Sequence, residues 1–269
     1  MRKSNIKATT MSDEKPDMKA PAIIDNNFMA KGSTYAMLQF PHSEEILDDD
    51  PEEEKEYCIG MNLISSGDAE SGREHLERSF KMGYLRAGDT LSFGYSAGWF
   101  GPRDYHKAVA ILRKLVRKGH PSSMNNYAFA YEYGAGVKQN YRLAEFWYKK
   151  GANLGNKDAK ANLGIFYLFG RKASRNQPEG VRLSFEAADL GQEMAMNSLG
   201  ICYEKGIVVT RNLDKAYEWY KKAYDNGCGP TSELGLARCY EKGLGVELDP
   251  EKADYFRQQA KLHGYDKDV

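Results

Sequence analysis

The histidines of this sequence are the side chains best suited to bind a metal ion or to transfer a proton near neutral pH. No two of them, and no histidine and cysteine, stand at the spacing of a metal site, and there is no His-Glu-x-x-His motif. The five are His42, His75, His106, His120 and His263. We therefore expect no metal site.

Nucleophile motifs are equally incomplete. The run Ser79-Phe80-Lys81 is one residue short of the Ser-x-x-Lys spacing of β-lactam-active enzymes. Ser96 lies between two glycines as in a nucleophile elbow, but that motif needs a preceding strand and none is predicted here. The loop Gly134-Ala135-Gly136 lacks the Lys-Ser/Thr that a phosphate-binding loop requires. The sequence therefore predicts a protein that is not an enzyme and that uses no cofactor.

The elements that would position such side chains follow a fixed period. Six glycines recur at intervals of 36 residues, with 37 for the last interval. They are Gly83, Gly119, Gly155, Gly191, Gly227 and Gly264. A period of this length is typical of stacked repeats, in which neighbouring units bury one continuous core.

Two further columns of residues keep this period and mark helix ends. A tyrosine followed three residues later by glycine recurs in units two to six, where the first helix of each unit is expected to end. An Asp or Asn, the preferred helix N-caps, precedes each second helix. These caps are Asp68, Asp104, Asn140, Asn176, Asn212 and Asp249.

Each unit is therefore predicted to be a helix-turn-helix that ends at a glycine in the left-handed conformation. The expected fold class is an all-α solenoid of about six repeats of 36 residues. The expected units are 51–83, 84–119, 120–155, 156–191, 192–227 and 228–264.

Residues Leu199 to Gly206 and Lys215 to Ala223 resemble the Sel-one-like repeat, a relative of the tetratricopeptide repeat. Gly134 to Val137 and Gly243 to Val246 match the Gly-x-Gly-Val loop of that family. The resemblance covers about residues 51–264 and implies a right-handed α/α superhelix. Two units depart from the pattern: the first needs a loop four residues shorter, and Arg171 to Gln177 replaces the Gly-Val loop of the fourth.

The resemblance implies a protein-protein interaction scaffold or adaptor that binds a partner protein or peptide on its concave face. An immunity protein that neutralises a cognate toxin is the alternative, and a cell-wall or β-lactam-active protein is a third reading. Self-association is also open, because no extra polar helix follows Gly264 and the C-terminal end face would suit a homodimer.

In the geometry that the resemblance implies, the first helix of each unit lines the concave wall. The positions expected to face a partner become less apolar from the N-terminal to the C-terminal units. They are Phe93, Asn125, Phe129, Glu132, Tyr133, Ile165, Leu168, Phe169, Asn197, Glu204, Arg238 and Glu241. Two readings of Phe129 and Ile165 stay open, groove or helix-helix core, whereas Tyr133 and Phe169 are expected to be exposed.

The first 50 residues lack the repeat and are expected to be largely disordered. Within them, residues 35–40 are apolar enough to dock, either as a cap on the first repeat or in a groove of this or another molecule. Residues 265–269 form a short tail.

Lys plus Arg equals Asp plus Glu at 38 each, so no net charge favours nucleic acid or an anionic membrane. No apolar stretch approaches a membrane span, and no secretory signal is visible in the sequence given. Cys202 and Cys239 share a register in adjacent units, which separates them by about 9–10 Å, too far for a disulfide. We therefore expect free thiols and a cytoplasmic location.

Overall fold

A computed structural model of the chain describes residues 50–170 and 175–265. These residues form twelve α-helices and no β-strand, which confirms the all-α prediction. The segment 35–40, most of the N-terminal extension, the loop 171–174 and the last four residues lie outside the described ranges. In chain order the helices are α1 Glu52–Ser65, α2 Ala69–Met82, α3 Leu85–Ala97, α4 Tyr105–Arg117, α5 Pro121–Tyr133, α6 Tyr141–Asn153, α7 Lys157–Phe169, α8 Gln177–Asp189, α9 Glu193–Lys205, α10 Leu213–Asp225, α11 Pro230–Lys242 and α12 Pro250–Leu262.

The second helix of every unit begins where the sequence predicts, because a local hydrogen bond defines its start. Each predicted Asp or Asn side chain accepts a bond from the backbone N–H three residues later, as Asn212 does from Lys215 at 2.9 Å. Such a bond satisfies one of the amides that the first turn leaves unpaired. The six predicted caps are thus confirmed.

The periodic glycines close these helices in the left-handed conformation. Gly155 and Gly191 have φ of 85° and 78°, and the other four periodic glycines also have positive φ. An L-residue with a side chain reaches this region only at a cost. The fourth unit departs as expected, since Gly170 is extended, with φ of −62° where the matching glycines of units two, three, five and six have positive φ.

Glycine also brings helices together inside a unit. A Cβ on Gly180 of α8 would lie 2.9 Å from the carbonyl oxygen of Gly164 in α7, so the two backbones pack almost in contact. Gly60 and Gly72 repeat this arrangement between α1 and α2, although only three residues separate those helices. The shortened loop predicted for the first unit is therefore confirmed.

The helices form two layers. Each first helix packs on the second helix of its own unit and, from the second unit onward, on that of the preceding unit, and α5, α7, α9 and α11 also contact one another in succession. Contacts between successive second helices are fewer. The first helices of the third to sixth units therefore line one face of the stack, and the resemblance to the Sel-one-like repeat implies that this is the inner face.

Candidate functional site

The inner face carries a pocket of about 120 Å³ between the second and third units. Val109 and Leu112 of α4, both buried, contribute to its lining, and Phe93 of α3 and Phe129 of α5 supply aromatic lining. The full lining is Ser92, Phe93, Ser96, Ala97, Tyr105, Ala108, Val109, Leu112, Asn125, Asn126, Phe129, Ala130 and Ala135. The structure thus brings together Phe93, Asn125 and Phe129 of the predicted wall.

Aromatic contacts hold the two phenylalanines of the pocket in place. The Phe93 ring meets the Trp99 ring edge-on at a centroid distance of 5.0 Å, and the Phe129 ring lies 4.4 Å from the Tyr133 ring. The first distance is typical of stabilising aromatic pairs, and the second lies at the short end of their range. The apolar lining is therefore preformed, which lowers the entropy that a ligand would have to remove on binding.

A polar network runs along the same face and was not identified from sequence. Asp89 accepts a hydrogen bond from Ser123 Oγ at 2.8 Å and one from Asn126 at 3.3 Å. Since Ser123 Oγ donates to Asp89, it accepts from His120 Nδ1–H at 2.7 Å. Burial raises the pKa of Asp89, although these two hydrogen bonds and His120 oppose the shift. The network joins α3 to α5, and Asn126 carries it to the pocket wall.

The amide ladder continues into the next unit, where Asn162 Nδ2 of α7 donates to Asn125 Oδ1 at 2.9 Å. Asn125 also lines the pocket, so its carbonyl is held by a neighbouring unit. The pocket therefore combines apolar walls with amide groups whose orientation is set by other side chains, the usual composition of a binding site.

Farther along the inner face, Glu204 belongs to an internal ion pair. It accepts from Tyr220 Oη at 2.5 Å and from Arg238 Nη2 of the next unit at 3.2 Å. Burial raises the pKa of Glu204, but the charge of Arg238 and the bonds from Tyr220 and Arg238 outweigh this, so its pKa is lowered. The predicted residues Glu204 and Arg238 thus satisfy each other.

Glu132 occupies the same repeat position two units earlier but has different surroundings. Tyr148 Oη donates to Glu132 Oε2 at 2.8 Å, and Tyr133 lies close enough to donate as well. Burial raises the pKa of Glu132 to about 7, and these hydroxyl groups only partly offset the effect. Its carboxyl group is thus partly protonated near neutral pH.

Two predicted wall residues are not on an open surface. Leu168 is 1% exposed and Asn197 is 4% exposed, so the expectation that they face a partner directly is wrong. Leu168 packs closely on Gly180, which lets α8 approach α7, and Asn197 lies in a stretch of α9 where every residue from Ala195 to Cys202 is buried.

The other predicted positions are intermediate. Tyr133 and Phe169 are half-buried rather than fully exposed, because Tyr133 packs on Phe129 and Phe169 packs on the core around α7 to α11. Ile165 is half-buried as well. Glu241 is exposed and pairs with Arg257 at 2.6 Å. Whether these residues bind a partner stays a prediction.

Within residues 50–170 and 175–265, no group of three or more His, Cys, Asp or Glu residues could hold a metal ion. The four cysteines lie in the described part of the chain, are buried and form no disulfide there, and burial raises the pKa of Cys202, Cys228 and Cys239 to about 12. These thiols are therefore protonated and poor nucleophiles at neutral pH. Among the helices described, none is long and apolar enough to cross a membrane.

Comparison with known protein families gives a clear match. The family model described as Sel1 repeat matches five consecutive segments, at residues 80–120, 121–156, 157–192, 193–228 and 230–264. The matched segments cover well over half of the chain. No curated protein matches the sequence significantly.

Solved structures with this fold include three that extend over most of the chain. A Sel1 repeat protein from Oxalobacter formigenes is 25% identical, with a TM-score of 0.65, over 80% of this chain and 63% of that one. A protective antigen of uropathogenic Escherichia coli with an SLR fold is 26% identical, with a TM-score of 0.62, over 80% of this chain and 46% of that one. An immunity protein from Pseudomonas aeruginosa is 21% identical, with a TM-score of 0.56, over 82% of this chain and 85% of that one. The chain thus spans less than two thirds of the length of the first two.

Proposed function

The chain belongs to the Sel1 repeat family, and we propose that it is a non-catalytic adaptor whose inner face binds a segment of another protein. Proteins of this family generally mediate protein-protein interactions. The observation that carries the proposal is the pocket between the second and third units, where Phe93 and Phe129 flank buried aliphatic residues.

The pocket suits an apolar side chain of a bound polypeptide. Its lining is mostly apolar, and the Asn125 and Asn126 amides, held by Asn162 and Asp89, supply the few polar groups that would orient a bound segment. Aromatic anchors in preformed pockets commonly supply most of the binding energy of an interface. The buried thiols agree with a location in the reducing cytoplasm, which we include in the proposal.

Affinity capture from the native host tests this proposal. Phe129→Ala removes a pocket wall, and Phe146→Ala is a matched control because Phe146 is 51% exposed on a second helix, away from the pocket. We expect one partner to be recovered by the wild type and by F146A but to be reduced at least about fivefold by F129A, the effect of losing about 1 kcal/mol. Equal recovery by all three would refute binding in the pocket.

Neutralisation of a toxin is a second candidate function. The Pseudomonas immunity proteins match over most of both chains, although at identities that establish a shared fold only. Co-expression with a toxic protein encoded next to this one should then restore growth, and F129A should abolish the rescue. Growth arrest in the presence of the wild-type protein would remove this candidate.

Self-association through the C-terminal end remains a separate proposal. On the last helix, α12, Tyr255 is 50% exposed and Leu262 is 77% exposed. A strictly monomeric mass at high protein concentration would contradict it.

A further inference from the structure

The pocket on the inner face exists because two of its lining residues are small for their repeat positions. Ser96 of α3 and Ala130 of α5 line it between the second and third units. At the next junction, between the third and fourth units, the same repeat positions carry Glu132 and Phe166. The space that these larger side chains take up there is therefore left open between the second and third units.

At the next junction the protein fills the corresponding place with its own side chains. Tyr148 has the repeat position of Leu112, which belongs to the pocket lining. The Tyr148 hydroxyl group donates to Glu132 at 2.8 Å, and the centroid of its ring lies 6.1 Å from that of Phe166. Tyr148 and Phe166 are 1% and 2% exposed, so this place is closed. The pocket therefore suits a large apolar side chain that comes from outside the repeats.

The two helices beside the pocket are joined at one end only of its lining. Near the start of α5, Ser123 and Asn126 donate hydrogen bonds to Asp89 of α3, which holds the two helices together there. Phe93 and Phe129 lie farther along these helices and are half-buried, so the apolar lining faces solvent at that point. An occupant can therefore enter from the inner face.

One apolar cluster of this chain lies close to the repeats in sequence. Residues 35–40, Tyr-Ala-Met-Leu-Gln-Phe, carry four large apolar side chains, and nine residues separate them from Asp50, where the described part begins. Tyr84, just before α3, donates its hydroxyl group to Glu54 of α1 at 3.1 Å, so α1 and α3 begin side by side. The connection from residue 40 therefore ends beside the start of the helix whose far end lines the pocket.

This connection is long enough to reach the pocket. The α3 residues of the lining, from Ser92 to Ala97, begin seven residues after the start of α3, which places them about 10–18 Å along the helix. At about 8–10 Å between packed helices, the pocket lies roughly 15 Å to the side of α1. The ten Cα–Cα steps from residue 40 to Asp50 span up to about 33 Å when extended, more than the roughly 20–25 Å required.

We propose that residues 35–40 bind in the pocket of their own chain and place a large apolar side chain between Phe93 and Phe129. A short tether gives the segment an effective concentration in the millimolar range, so a weak intrinsic affinity is enough to keep the pocket occupied. The binding itself does not depend on the proposed function. Its consequence does rest on that function: a partner must displace the segment, and its apparent affinity falls with the fraction of open pockets.

Binding of a fluorescent peptide with the sequence of residues 33–42 to the full-length protein tests this inference. The wild type is compared with a segment variant, in which all four large apolar residues are replaced: Tyr35→Ser, Met37→Ser, Leu38→Ser and Phe40→Ser. The segment variant should bind the peptide at least about tenfold more tightly than the wild type, because its own segment no longer competes. Adding Phe129→Ala to the segment variant should weaken the peptide at least about fivefold.

Phe28→Ser is the matched control, because it removes an apolar side chain from the same N-terminal extension but outside residues 35–40. It should bind the peptide as weakly as the wild type does. All the substitutions in the extension lie outside the twelve helices, and far-ultraviolet circular dichroism verifies that every variant keeps its helical content.

The outcomes separate this inference from the proposed function. Equal peptide binding by the wild type and the segment variant, or binding that does not depend on Phe129, would overturn the inference. A difference that disappears when the protein is diluted would assign the segment to a second copy and would overturn the intramolecular contact. None of these results alters partner capture by F129A, which tests the proposed function by itself. If both proposals hold, the segment variant should recover more of the partner than the wild type.

Discussion

Replacing Glu132 by glutamine should stabilise the isolated protein at alkaline pH. Folding transfers this carboxyl group into a buried place where its pKa is about 7, compared with an ordinary value of 4.5. The folded state therefore binds the proton more tightly than the unfolded state. Its contribution to stability is fully present below pH 4.5 and is lost as the pH rises to about 7.

The magnitude follows from the shift in pKa. About 2.5 pKa units correspond to at most about 3 kcal/mol of unfolding free energy lost between acid and alkaline pH. Glutamine is neutral throughout and still accepts the Tyr148 hydroxyl bond. E132Q should match the wild type at pH 4, below the ordinary pKa of the group, and exceed its stability by about 1–3 kcal/mol at pH 8.

Glu204→Gln is a control at the same repeat position, where the pKa of the glutamate is shifted in the opposite direction. The pKa of Glu204 is lowered, chiefly because Arg238 outweighs the effect of burial, so its contribution is present above its ordinary pKa and is lost as the pH falls through the lowered value. E204Q should cost about 1–3 kcal/mol at pH 8, since it leaves Arg238 without its partner, and should cost less in acid.

Urea unfolding followed by circular dichroism, at several pH values, measures both differences. Differences between each variant and the wild type cancel the other titrating groups. A loss of stability in E132Q at pH 8 comparable to that of E204Q would show that the Glu132 carboxylate is stabilised by a cation in the folded protein, and it would refute the raised pKa from which the prediction is worked out.

Two further predictions concern backbone conformation. Val208 has φ of 65° and is 52% exposed, at the loop position where the third and sixth units carry glycine. Val208→Gly should therefore raise the unfolding free energy by about 1 kcal/mol, whereas the control Val209→Gly should lower it because Val209 packs on the core. A destabilised V208G would contradict the backbone strain assigned to Val208. Gly155→Val and Gly191→Val should each lower the unfolding free energy, measured in urea, by about 1–2 kcal/mol, because both glycines are left-handed. A Cβ at either position would meet no other atom within 4 Å, so the cost is conformational and not a clash. No effect at both positions would mean that these helix ends are misassigned.

Much of the fold could be predicted because helix ends depend on local chemistry. Asn212 caps α10 through its own side chain, and Gly155 ends α6 in a left-handed conformation that glycine adopts without steric cost. Such features repeat with the sequence and need no knowledge of distant contacts. The assignment of the first helices to the inner face, in contrast, rested on the resemblance to the Sel-one-like repeat.

Parts of the site could not be predicted because they depend on how closely units approach. Leu168 and Asn197 share the repeat position of exposed or half-buried residues in other units, yet both are buried. One sequence feature could have indicated that Leu168 is buried. Gly180 stands where most other units carry alanine, and it allows α8 to approach α7 closely at Leu168. The bond from Ser123 to Asp89 likewise joins residues 34 positions apart that have no recognisable motif.

The sequence alone thus determined the period and the helix ends, since capping and glycine conformation act within a few residues. Only the tertiary structure decided which inner positions are open, and which glutamate has an arginine beside it. Burial and ion pairing depend on the neighbouring units, as the bond from Arg238 to Glu204 of the preceding unit shows.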